Sequence, residues 1–337
     1  MDPIAFWLPL VWAALIGTAV ALYVILDGFD LGLGILFPFE PHESRRDTMM
    51  NSVAPFWDGN ETWLILGGGG LWVAFPLAYG TIMPGLYLPV IIMLLGLIFR
   101  GVAFEFRWAA KPKHEIWDNS FAAGSIIATF AQGVILGGFL QGIEVQNNAF
   151  AGGALDWFKP FPLFTGLALV AGYALLGATW LIMKTEDPLA SQARGWAKLL
   201  LPVVLVFMLV ISLWTPLAFD RIAERWFAWP NILYLSPVPI ITVALAAGCW
   251  YGLVKERETM PFVSAIGLFL MGFIGLVISN VPYLVPPSIT IWEAAAAPES
   301  QIFTLVGVLI MLPIILGYTV FVYWTFRGKV REGEGYH

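Results

Sequence analysis

Nine apolar runs fill most of the 337-residue chain, near positions 6–36, 52–73, 76–106, 118–142, 161–183, 198–219, 233–254, 261–283 and 302–326. Each reaches or exceeds the roughly 20 residues that a helix needs to cross a bilayer. Inside lipid only helices and closed barrels satisfy their own backbone groups. The pattern therefore predicts an all-α, polytopic transmembrane bundle of about nine spans, a single integral-membrane domain over 1–337. Composition agrees, with 59% hydrophobic and 12% charged residues against about 25% charged in soluble domains. The lipid bilayer is an expected partner and nucleic acid is not. Cys249 is the only cysteine, which excludes an internal disulfide framework or a CxxC site. No basic n-region or small-residue cleavage site flanks the first run, so it reads as a retained span.

Basic residues set the expected orientation. Fourteen of the 17 Lys and Arg lie in or beside alternate connections and the tail: Arg45, Arg46, Arg100, Arg107, Lys111, Lys113, Lys184, Arg194, Lys198, Lys255, Arg257, Arg327, Lys329 and Arg331. Only Lys159, Arg221 and Arg225 fall on the other side. By the positive-inside rule the N-terminus is outside and the C-terminus cytoplasmic. The second and third runs are joined by "VAFP", a tight helical hairpin, and "VPYLVPPS" stops the eighth.

Two acid pairs break the apolar pattern. Asp27 and Asp30 lie within "YVILDGFDLGLGILFP", and Asp58 and Glu61 within "APFWDGNETWLILGGGG". An Asp at a membrane helix centre costs about 2.5–3.5 kcal/mol on insertion scales. At about 1.5 Å per residue, Asp27 and Asp30 sit roughly 30 Å down the first helix, and the second helix starts from that face. Residues three apart share a helix face, so the pairs are expected to converge. A buried carboxyl that takes and releases protons makes all four candidates for a proton relay. The bland alternative is acids solvated near the membrane boundary, or Asp58 favouring its helix N-terminus.

Gly28, Gly32 and Gly67 to Gly70 give their helices thin faces for close packing. Arg100 and Arg107 are read as partners of lipid headgroups, with Glu105 as the alternative. His42, His114 and His337 lie outside the runs, and haem in a membrane bundle is usually held by His. Any redox metal is therefore expected on another chain.

The segments "LDGFDLGLGILFPF", "RRDTMMNSVAPFWDGNETWLILGGGGLWVAFPLAYG", "IFRGVAFEFR" and "VPPSITIWEAAAAPESQ" carry a resemblance. In order and spacing they resemble subunit II of cytochrome bd-type quinol oxidases, and the short outer loops resemble the cyanide-insensitive branch. The resemblance implies a haem-free subunit in a bacterial cytoplasmic-membrane complex that oxidises quinol and reduces dioxygen to water. Its partner, subunit I, would carry haems b and d. In the family, acids matching Asp27 and Asp58 have been placed on a proton route from the cytoplasm, with Asp30 in the same motif; relatives differ at Glu61. Phe56 stands where some relatives have a polar residue. Trp57, Trp63, Asn60, Gly28 and Gly32 are the candidates for the subunit interface. Small single-span accessory subunits and a structural quinone would be further partners, and no motif fixes a quinone site. A purely structural subunit and a proton-coupled transporter are the competing readings.

Overall fold

The computed structural model describes residues 3–111 and 113–333. Its helices are α1 (Pro3–Leu36), α2 (Glu43–Asn51), α3 (Trp57–Ala74), α4 (Pro76–Ala109), α5 (Glu115–Gln141), α6 (Pro160–Lys184) and α7 (Leu189–Ala218). They continue with α8 (Asp220–Phe227), α9 (Asn231–Leu235), α10 (Pro237–Val254), α11 (Met260–Asn280), α12 (Ile291–Ala294) and α13 (Pro298–Thr325). Two short antiparallel pairs, β1 (Val145–Gln146) with β2 (Ala149–Phe150) and β3 (Tyr283–Val285) with β4 (Ile289–Thr290), sit in connections.

The nine expected spans correspond to α1, α3, α4, α5, α6, α7, α10, α11 and α13. Eight of these segments are long and apolar enough to cross a membrane. The exception is α3, whose 18 residues include Asp58, Asn60 and Glu61 as well as five glycines. Those residues lower its hydropathy without shortening it below about 27 Å. It runs antiparallel to α1: Asn60 bonds to the Leu26 carbonyl at one end, and Gly70 faces Ile16 and Trp12 at the other. Asn60 and Glu61 are tolerated because they face α1, α4 and α13, whereas Asp58 is exposed. A single residue, Phe75, separates α3 from α4.

Contacts between connections fix which ends lie together. At one end, Arg107 binds Asp47 and Asp118, Lys184 binds the Phe326 and Gly328 carbonyls, and Arg194 reaches the Arg257 carbonyl. At the other, Trp12 donates to the Gln301 carbonyl, Trp292 to the Phe6 carbonyl, and Arg221 to Asn280 and the Leu140 carbonyl. Successive long helices therefore alternate in direction. The basic connections share one end, here called the basic end.

Packing is densest around the second half of α1, where every residue from 27 to 37 is buried. Phe29 stacks on Trp180 with centroids 4.1 Å apart, and Leu31 and Leu33 lie wholly inside. Backbone contact between α1 and α6 depends on Gly32. A Cβ there would overlap the Tyr173 carbonyl and lie 2.8 Å from the Gly177 amide. By contrast α13 is an outer wall, with none of its central span buried.

Gly32→Ala should force α1 and α6 apart and cost about 1–3 kcal/mol, the usual range for overpacking. Gly272→Ala on α11, where a Cβ meets nothing within 4 Å, should be neutral or gain up to about 1 kcal/mol from helix propensity. Thermal unfolding of the purified complex separates the two.

Candidate functional site

The polar centre of the bundle lies where α1, α3, α4 and α13 meet, towards the basic end. Asp27 and Asp30 are on α1 because the helix continues unbroken through "LDGFDLG". Both are buried, at 0% and 1% exposure. Arg100 reaches them from α4 and is itself 0% exposed. Its Nη1 donates to Asp27 Oδ1 at 2.5 Å, and its Nη2 lies 4.0 Å from Glu61 Oε2. The guanidinium also stands 5.8 Å from the ring of Trp57, which stacks parallel to Phe104 at 4.8 Å. Close passage of α5 behind Arg100 requires Gly124, since a Cβ there would sit 2.8 Å from the Arg100 amide.

Asp30 has a different partner. Asn60 Nδ2 donates to Asp30 Oδ2 at 2.7 Å, and Tyr323 of α13 donates to Asn60 Oδ1 at 2.9 Å. Phe56 stacks on Tyr323 at 4.4 Å, so the residue at this position supports the network through ring contact. Lys184 caps the end of α13 and stands over the Phe56 and Trp180 rings. Asp27 Oδ2, Asp30 Oδ1, Arg100 Nε and Arg100 Nη2 are buried without a hydrogen-bond partner. The site thus brings three carboxyls to one guanidinium. A single cation compensates one carboxylate, and neighbouring carboxyls disfavour joint ionisation. Chemically, such a cluster can hold a proton on one of its carboxyls.

Residues 8–326 match the family described as cytochrome bd terminal oxidase subunit II. The chain belongs to that family. It is 28% identical to the cytochrome bd-I ubiquinol oxidase subunit 2 of Escherichia coli (strain K12), over 96% of this chain and 95% of that one. It is 29% identical to the cytochrome bd ubiquinol oxidase subunit 2 of Bacillus subtilis (strain 168), over 96% and 97%. The fold matches a chain of the bd oxidase from Geobacillus thermodenitrificans with TM-score 0.77, 16% identity and coverage of 95% and 99%.

For this member of the bd subunit II family, the structure redistributes the residues expected from sequence. Asp27, Asp30 and Glu61 converge on one centre. Asp58 does not: it is exposed and makes no side-chain hydrogen bond or ion pair among the described residues. Residues three apart differ by about 60° in azimuth. On α3, wedged against α1, that angle places Glu61 at the seam and Asp58 outside it.

Four expected interface residues are used within the chain itself. Gly28 faces the Tyr173 ring, Gly32 faces the α6 backbone, and Asn60 bridges Asp30 and Tyr323, while Trp63 is buried beside Ala19 and Tyr23. Trp57 is half-buried against Phe104. The outward stripe of α3 is instead Asp58, Gly59, Thr62, Ile65, Gly69 and Trp72.

The lipid reading of Arg100 and Arg107 is corrected as well. Both are fully buried. Arg107 donates from Nε to Asp118 Oδ1 at 2.5 Å and binds Asp47. Burial removes them from headgroups, and acids on α1, α2 and α5 replace the lipid. Of the histidines, His42 pairs with Glu40, and His114 pairs with Glu43 and Asp118. Both lie outside the spans; His337 lies outside the described residues. Arg100 and Tyr323 were missed by the sequence reading. A lone Arg inside "LLGLIFRGVAF" was the available signal for the first.

Arg100→Gln strands the Asp27 charge and should destabilise the protein by about 3–5 kcal/mol, the range for breaking a buried ion pair from one side. Asp27→Asn in the same chain should restore much of that loss. Thermal unfolding of the four-member cycle measures the coupling.

Proposed function

We propose that this chain is the haem-free subunit II of a bacterial quinol:dioxygen oxidoreductase, and that it passes cytoplasmic protons towards a haem-bearing subunit I. The observation that carries the reading is the Asp27–Arg100–Glu61 and Asp30–Asn60–Tyr323 cluster. It is buried within an otherwise apolar bundle and lies towards the basic end. Ionisable groups inside a membrane are expensive and mark ion or proton pathways. By the positive-inside rule the basic end faces the cytoplasm, so protons enter from that side. Glu61 is half-buried at the rim and leads inward to Arg100 and Asp27.

In this reading the haems b and d belong to the partner and supply electron transfer and dioxygen binding there. This chain's contribution is to keep protonatable groups in a dry setting. Oxygen reduction consumes protons, and a bare charge crossing lipid is costly; carboxyls that take the proton in neutral form avoid that cost. Asp58 has a separate place. It projects from a membrane-spanning segment on the exposed α3 stripe, where a polar group calls for a polar neighbour. We assign this stripe to the face that meets subunit I, and Asp58 to that contact. An assembly role for Asp58 is favoured by its outward position. Accessory subunits, a structural quinone and the quinol pool enter only through membership of the complex.

Asp30→Asn should lower oxygen consumption of the purified complex by about tenfold or more, the scale of lost general acid–base function, with haem content intact. Asp58→Asn should instead reduce haem content or co-purification of the partner. Unchanged turnover in Asp30→Asn at full haem occupancy would remove the relay.

A further inference from the structure

At the basic end α13 is fastened to the bundle by a buried cation that the relay does not use. Along its middle this helix is an outer wall, with none of its central span buried. Its far end is held at Gln301, whose backbone carbonyl accepts from Trp12 and whose side-chain amide donates to the Ala296 carbonyl. At the basic end Lys184, the last residue of α6 and only 4% exposed, donates to the Phe326 carbonyl and to the Gly328 carbonyl, the latter at 2.6 Å. The Val330 amide returns a bond to the Lys184 carbonyl at 2.8 Å. Two further ties, Lys329 to Glu258 and Arg331 to Glu186, join side chains open to solvent, where an ion pair is weak.

Three residues before Phe326, Tyr323 reaches the polar centre. Its hydroxyl donates to Asn60 Oδ1 at 2.9 Å, while Asn60 Nδ2 donates to Asp30 Oδ2 at 2.7 Å and to the Leu26 carbonyl at 3.2 Å. A carboxamide has two amine hydrogens and a carbonyl oxygen to place. Here α1 takes the amine and α13 supplies the donor for the oxygen. Lys184 reaches Tyr323 by a second way, through Phe56. That ring stacks on Tyr323 with centroids 4.4 Å apart, meets Phe326 edge-on at 6.2 Å, and has the Lys184 ammonium 5.8 Å from its centroid. A cation over an aromatic face is attracted by the quadrupole of the ring. A small polar side chain at position 56 would make neither the stack nor the cation contact.

We propose that Lys184 is a positioning residue of the polar centre: by binding the carbonyls after α13 and standing over Phe56, it seats the Tyr323 hydroxyl on Asn60. With that tie broken, the last turn of α13 frays, as unsupported helix ends do, and Tyr323 leaves Asn60. The amide then keeps only its α1 partners and is free to swing off Asp30. The seating of Tyr323 stands on the hydrogen bonds themselves. Its consequence for turnover rests on the relay proposed above.

The test uses the assembled complex and three substitutions. Lys184→Met keeps the aliphatic stem and removes the donors, Lys184→Arg keeps a cation that can bind carbonyls, and Tyr323→Phe removes one hydroxyl. Haem content and thermal midpoint serve as folding controls. The first readout is amide hydrogen exchange over residues 319–326. Lys184→Met should speed it by about ten- to a hundredfold, the worth of one charge-assisted hydrogen bond, and Lys184→Arg by much less. Tyr323→Phe should speed it by about three- to tenfold in the parent. In the Lys184→Met background it should add nothing, because the bond it removes is already lost.

The second readout is oxygen consumption across a range of quinol concentrations. Lys184→Met should lower kcat by about three- to tenfold, the scale of the lost Tyr323 bond, with KM for quinol unchanged and with recovery in Lys184→Arg. Tyr323→Phe should do the same, and the double variant should fall no further. Parental exchange in a folded Lys184→Met overturns the tie, and an equal effect of Tyr323→Phe in both backgrounds overturns its action through Tyr323. Should Lys184→Met fail the folding controls, Phe56→Leu takes its place, with exchange faster by about threefold or more; parental exchange there overturns the same claim. Faster exchange at a parental kcat, where Asp30→Asn is slow, overturns the positioning role and leaves the relay. If Asp30→Asn turns over at the parental rate, the relay falls and the exchange cycle decides the seating of Tyr323.

Discussion

The pairing of Arg100 with Asp27 governs the interior of this protein. Two opposite charges are placed where water does not reach, 2.5 Å apart, each fully enclosed by helices. Neither residue could stay in a lipid-embedded core alone. Taking an ion out of water costs several kcal/mol even after relaxation. The pair therefore dictates how α1 and α4 face one another. Around it α5 comes close at Gly124 and α6 at Gly32, where larger side chains would meet backbone.

The same pair makes the surrounding chemistry asymmetric. With one guanidinium and three carboxyls at hand, identical side chains acquire different partners. Asp27 meets a cation, Asp30 an amide, and Glu61 sits at the rim. Polarity in this bundle is shared between two helices, with Asp27 and Asp30 on α1 and Glu61 on α3. A separate ionic lattice of Arg107, Asp118, Asp47, Lys111, Glu43 and His114 ties α2, α4 and α5 together at the basic end. It holds the basic end of the bundle in register without reaching the centre.

How much of this could be read from sequence depended on whether one helix or two were needed. The spans and their alternation were legible, since length, hydropathy and Lys/Arg position are properties of single segments. So was the burial of Asp27 and Asp30, set within an unbroken apolar run. Pairings across the bundle were not. Arg100 is 73 residues from Asp27, and nothing local to "IFRGVAF" tells which helix its side chain enters. The split between Asp58 and Glu61 escaped for the same reason: spacing gives their relative azimuth and leaves open where the neighbour lies. Gln132 within "ATFAQGVIL" reads as an isolated polar residue until α1 and α6 each bring a tyrosine to it.

The binding of Lys184 to the carbonyls after α13 has a bearing on how the centre comes to be closed. Tyr323 lies on the last turn of the last long helix, and the following residues are tied down by Lys184 and by the Val330 amide on the Lys184 carbonyl. During synthesis Asn60 and Asp30 are in place long before that helix leaves the ribosome. The polar centre thus stays open on one flank until α13 has been made, and the segment tied to Lys184 acts as its latch. A chain cut after Thr325 would lose that latch and leave Tyr323 on an untethered helix end.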